Sequence, residues 1–85
     1  MPEISRFFGI VITMYHREHG PPHFHVRYAG HRATVRIEDG FVEGELPRRA
    51  VSLVLEWWNM HRDELDDNWE RALQKRPLEP IQPLE

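Results

Sequence analysis

The apolar residues of this chain change their spacing once, near Pro47, and that change divides it into a β half and an α half. From Arg6 to Tyr15, Phe8, Ile10, Ile12 and Met14 alternate with Phe7, Gly9, Val11 and Thr13, which predicts a strand apolar on both faces. Gly9 within it marks a bulge or a close backbone approach. A loop follows from His16 to Pro22, closed by two prolines that fix φ and remove donors. From His23 to Tyr28 the alternation is clean: Phe24, Val26 and Tyr28 point one way, His23, His25 and Arg27 the other. Ala29-Gly30 is a two-residue turn, and the third strand, Arg32 to Glu38, buries Ala33, Val35 and Ile37. Asp39-Gly40 is a second hairpin signal, and the fourth strand, Phe41 to Leu46, turns Val42, Gly44 and Leu46 inward.

The two turns set a register. Arg27 faces Arg32, Val26 faces Ala33, His25 faces Thr34 and His23 faces Arg36 across the first hairpin. Across the second, Ile37 faces Val42, Arg36 faces Glu43, Thr34 faces Glu45 and Ala33 faces Leu46. Apolar meets apolar and polar meets polar in both, and a slip of one residue destroys that agreement.

Beyond Pro47, expected at a first helical position, the spacing becomes three and four: Val51, Val54, Leu55, Trp58, His61, Leu65, Trp69, Ala72. This predicts one long helix to about Lys75, or a pair that breaks near His61-Arg62 with Asp63 as the second N-cap; the pair is favoured. Val54, Trp58, Leu65 and Trp69 form the core side, and Trp57 falls one position off the stripe. The expected architecture is α+β: a four-stranded antiparallel meander followed by a C-terminal helix or helix pair packed on one sheet face. Residues 1–76 form a single domain, and 77–85 a proline-rich extended tail in which Leu78, Ile81 and Leu84 can dock.

Composition changes this picture in two ways. Eighty-five residues without cysteine allow one modest core, no disulfide and no thiolate chemistry. With no signal-like N-terminus and no apolar run near the roughly 20 residues of a membrane span, a cytoplasmic protein with no membrane association is expected. The net charge of −3 conceals a segregation. Residues 1–36 carry five Arg against Glu3 and Glu18, with five of the six His, whereas 37–85 carry six Lys or Arg against twelve Asp or Glu. An anion-binding face, if present, belongs to the first half.

That face holds the candidate chemistry. Arg27 opposite Arg32 is a like-charge pair that an anion would reconcile, and phosphate suits the guanidinium fork; Thr34 and Arg36 extend the same ligand-binding surface. His23 and His25 are the candidate acid and base, with Glu45, two strands away, as a weaker third member. Beside arginines, such a pair suffices for metal-free RNA cleavage. Solvated histidines, and arginines that splay into water or meet Glu45 diagonally, are the structural alternatives. A His-x-His strand also offers two zinc ligands, His23 and His25, with a third to come from His16, His19, Glu43 or Glu45; no cofactor is favoured over this zinc alternative because no full set is visible. His31 is expected to be structural.

Four runs, F-x-G-I-x-I-x-M at Phe7–Met14, H-G-P-P-H-F-H-V at His19–Val26, G-E-L-P-R-R-A at Gly44–Ala50, and E-W with H-R-D-E-L and N-W-E-R-A between Glu56 and Ala72, resemble the domain-of-unknown-function 4160 family. The resemblance covers nearly the whole chain. It marks Pro21, Pro22, His23, Phe24, His25, Gly44, Leu46, Pro47, Trp57, His61, Glu64, Leu65 and Trp69. It implies a small stand-alone bacterial or archaeal protein, often half of a two-gene module and suspected in some members to be a toxin–antitoxin component, without an established activity. Two classes of function follow: a toxin-like protein whose His/Arg face engages RNA, with or without ribonuclease chemistry, and a non-catalytic, antitoxin-like module that docks a cognate small protein. The chain is expected as a monomer or as a homodimer formed through a sheet edge.

Overall fold

The computed structural model describes residues 3–16 and 19–85; Arg17 and Glu18 of the loop lie outside the described residues. Five strands, β1 (Glu3–Phe7), β2 (Ile10–Thr13), β3 (His23–Tyr28), β4 (His31–Arg36) and β5 (Val42–Gly44), form one antiparallel sheet in sequence order. Two helices follow, α1 (Arg48–Met60) and α2 (Arg62–Leu73), so the fold is α+β with the helix pair C-terminal.

The single first strand expected from the sequence is a hairpin. Phe8 and Gly9 both adopt positive φ (51° and 80°), the signature of a tight hairpin turn whose twist matches that of its strands. The same geometry recurs at Ala29-Gly30 (48° and 83°), where the sequence predicts it. A phenylalanine is an unusual occupant of that conformation, and apolar residues on both sides of it hide the turn from any alternation pattern.

The β3–β4 register is the expected one throughout, from His23 opposite Arg36 to Arg27 opposite Arg32. The β4–β5 register is not. Ala33 faces Gly44, Thr34 faces Glu43 and Val35 faces Val42, a shift of two residues. Instead of a two-residue turn at Asp39-Gly40, a longer loop is closed by Arg36 N–H to Phe41 C=O at 2.9 Å and Gly40 N–H to Arg36 C=O at 2.8 Å. Two interactions fix it. Ile37 donates its N–H to the Pro22 carbonyl, which holds it beside β3, and Gly44 packs where a Cβ would come within 2.8 Å of Ala33 Cα. A shift of two keeps every side chain on its face, so alternation cannot detect it.

The core lies between the sheet and the helices. Trp57 is its centre, 0 % exposed, with its ring 5.5 Å from Phe7 and 5.6 Å from Phe24. Trp58, expected in that place, is half-buried at the margin; its Nε1–H donates to the Ile37 carbonyl and its ring lies under Arg62. Pro47 occupies the N-cap of α1, one position before the expected first helical residue. The break between the helices falls at His61, which also stands at the N-cap of α2, so Asp63 lies in the first turn rather than at the cap. There its charge still favours the helix dipole. His31 is exposed, opposite Tyr28.

The tail docks on its own chain. Ile81 and Leu84 are buried, and Ile81 N–H bonds the Ile4 carbonyl on the outer edge of β1. The buried Asn68 amide holds Glu79 through both its backbone groups, and Trp57 Nε1–H donates to the Gln82 carbonyl. Among the described residues no helix is long and apolar enough to cross a membrane.

Candidate functional site on the open sheet face

Strand alternation sends the odd-numbered residues of β2, β3 and β5 and the even-numbered residues of β4 to the face away from the core. One row across it reads Thr13, His25, Thr34, Glu43; the next reads Val11, Arg27, Arg32; and His23 pairs with Arg36 at the far end. Thus His23, His25, Arg27, Arg32, Thr34 and Arg36 are brought onto one surface. Glu45 is not part of the histidine row: the two-residue shift puts Glu43 opposite Thr34 and leaves Glu45 beyond the end of β5.

The two ends of this face differ electrostatically. Arg27 and Arg32 are exposed and enter none of the ion pairs among the described residues, which are Arg6–Glu3, Arg36–Asp39, His61–Glu64, Arg71–Asp67 and Arg71–Glu79. They flank a small hollow of about 80 Å³ that Thr13, Tyr15 and His25 also line. Arg36 is already partnered. Its Nε and Nη2 donate to both Asp39 carboxylate oxygens at 3.1 and 2.7 Å, and Phe41 N–H donates to Asp39 Oδ1. That Arg36 hydrogen bond, reinforced by the Phe41 N–H, holds the Asp39 carboxyl below its ordinary value. The guanidinium carbon of Arg36 lies over the exposed Phe41 ring, 5.1 Å from its centroid. A larger hollow of about 420 Å³ opens here, between His23 and Pro21 on one side and Phe41 and Glu43 on the other, over Thr34 and Arg36.

The histidines stand in a chain of rings. Tyr15 and His25 are 4.9 Å apart, His25 and His23 5.3 Å, and His23 and Trp69 5.3 Å, centroid to centroid. His23 Nδ1 is 2.9 Å from the Pro21 carbonyl oxygen. Since that oxygen only accepts, Nδ1 carries the hydrogen, and Nε2 is the basic nitrogen of the neutral ring. Tyr15 could have been found from parity, since it continues the odd-numbered face of Val11 and Thr13; the approach of Trp69 to His23 carries no sequence signal.

Of the residues that carry the family resemblance, Phe24, Trp57 and Leu65 are core, Gly44 permits the close approach of β5, and Pro47 caps α1. His61 donates from Nδ1 to Glu64, with its Nε2 buried and unbonded. His23 and His25 are the ones set on the open face. Among the described residues no group of three or more His, Asp or Glu converges as a metal site. No curated protein and no solved structure matches this chain. Residues 9–70 match the family model described as Domain of unknown function (DUF4160), and the chain belongs to that family.

Proposed function

We propose that this chain binds a phosphate-bearing ligand, RNA, on its open sheet face, as one component of a toxin–antitoxin-type pair. The observation that supports this most is Arg27 directly opposite Arg32, both exposed and neither in an ion pair among the described residues. Opposed like charges are unfavourable in a bare sheet, and an anion between them reverses the sign. The hollow they flank, about 80 Å³, is on the scale of a single phosphate group or a few waters. The toxin–antitoxin setting, with its cognate small protein, rests on the family resemblance alone.

Binding gains more support than cleavage. In-line cleavage of RNA places base and acid on opposite sides of the phosphorus, but the His23 and His25 rings are in edge contact, with no space for a phosphate between them. A ribonuclease built on this face would pair one histidine with a different group. The test is an NMR titration that follows the His23 and His25 ring signals and the Arg27 and Arg32 side-chain signals as short single-stranded RNA is added. Saturable shifts at all four positions are expected; signals that ignore RNA refute the proposal and direct the search to a protein partner.

A further inference from the structure

The two edges of the sheet are finished differently. The edge of β1 is covered by the chain's own tail, through the bond from Ile81 N–H to the Ile4 carbonyl. The sheet ends at β5, and among the described residues Val42 to Leu46 make no backbone hydrogen bond beyond the β4 ladder. Two bonds fix the direction of the free groups. Phe41 C=O accepts from Arg36 N–H, so Val42 N–H, on the same trans peptide, points away from β4. Ile37 N–H donates to the Pro22 carbonyl, and two positions along that ladder Val35 is therefore hydrogen-bonded to β3. Val42, opposite Val35, turns both its N–H and its C=O outward. The same alternation sends the Gly44 N–H outward. β5 thus presents a donor, an acceptor and a second donor to an incoming strand.

The side chains along this edge define what that strand carries. Val42 and Leu46 are half-buried against the core. On the open face Phe41 is 56 % exposed, and Glu43 and Glu45 are exposed and enter none of the ion pairs among the described residues. Those acids bar a second copy of this chain. Two-fold antiparallel pairing about Val42 sets Glu45 opposite Asp39, pairing about Glu43 sets Glu43 opposite itself, and pairing about Gly44 sets Glu43 opposite Glu45. Lysine or arginine at the same positions of an added strand reverses the sign. We infer that the β5 edge docks an extended segment of a protein partner, in which basic residues facing Glu43 and Glu45 alternate with apolar residues on the side of Val42 and Leu46. The segment joins the five-stranded sheet as a further edge strand. This surface does not rest on the RNA-binding proposal.

The experiment is an amide NMR titration of the full-length chain with two blocked peptides, TVKVKVT and TVEVEVT, which share their alternation and differ only in charge. The wild-type chain should bind the lysine peptide with saturable shifts confined to Phe41–Leu46, about 10-fold more tightly than the glutamate peptide at low salt. In Glu43→Lys/Glu45→Lys, first checked by circular dichroism for the wild-type fold, the order of the two peptides should invert. The comparison on the wild-type chain needs no variant. Shifts with neither peptide, equal affinity for both, or shifts that fall outside the β5 edge would overturn the proposal. So would a wild-type chain that sediments alone as a dimer with its Val42 and Gly44 amides protected from exchange, which would give the edge to a second copy.

Discussion

Arg32→Glu is expected to stabilise the fold while it destroys the ligand face. Arg27 and Arg32 are directly opposed in the β3–β4 ladder, which puts their Cα atoms about 5 Å apart and, with the freedom of long side chains, their charges roughly 6–7 Å apart. At the dielectric constant of water this repulsion is about 0.7 kcal/mol, and screening at physiological ionic strength reduces it to about 0.3 kcal/mol. Arg32→Gln removes that term; Arg32→Glu reverses it, a swing of about 0.6 kcal/mol that corresponds to a rise in Tm of about 2–5 °C for a domain of this size. The assay is thermal melting of wild type and both variants at 10 mM and 1 M salt. The gain should be largest at low salt, intermediate for Gln, and absent at 1 M, where the screening length is about 3 Å. If Arg32→Glu melts below wild type at low salt, Arg32 is held by an acid, with Glu45 next along the chain from Gly44, and the two arginines are not an unsatisfied pair.

Three further outcomes are expected. Trp57→Ala should cost about 3–5 kcal/mol by urea denaturation and Trp58→Ala clearly less, since Trp57 is fully enclosed and Trp58 marginal; equal losses would contradict the core assignment. A chain truncated after Leu78 loses the buried Ile81 and Leu84 and uncovers the β1 edge. It should be less stable by about 3–5 kcal/mol and self-associate in sedimentation; a loss under about 1 kcal/mol would show the tail to be unimportant. Asp39 titrates below its ordinary value because it accepts from Arg36 and from Phe41 N–H, so its stabilising contribution is full above the unfolded-state value and disappears as pH falls below about 4. The difference in urea midpoint between wild type and Asp39→Asn should therefore shrink below pH 4; a difference that grows on acidification would reverse the assignment.

What was legible in the sequence follows from what alternation can carry. The β3–β4 pairing was readable because a two-residue Ala-Gly turn fixes the register and both strands have one polar face. The β1–β2 hairpin was not, because Phe8 takes a positive φ that a phenylalanine seldom adopts and apolar residues surround it. The β4–β5 register escaped because a shift of two preserves face parity, and the deciding interactions, Ile37 with Pro22 and Gly44 against Ala33, are tertiary. Trp57 and Trp58 stand about 100° apart on a helix, too close for a broad stripe to decide which one faces the core. The tail hinted at its own docking. Leu78, Ile81 and Leu84 recur every third residue, the period of an extended proline-rich helix, and so share one side; only the structure supplies the surface they meet. On the candidate face the histidines and arginines were found by parity, whereas the division of labour between Arg36, held by Asp39, and the Arg27–Arg32 pair depends on a loop geometry that spacing alone does not give.

The most direct test of the RNA-binding face is the salt dependence of affinity for a labelled single-stranded RNA, between 50 and 200 mM salt, for wild type and Arg27→Ala/Arg32→Ala. Each phosphate contact on a single strand contributes about −0.7 to the slope of log K against log salt. The double variant should bind more weakly, with a slope smaller in magnitude by about 1 to 1.5. Failure of the wild-type chain to bind, or an unchanged slope in a folded double variant, would contradict the proposal that these two arginines receive the phosphate backbone.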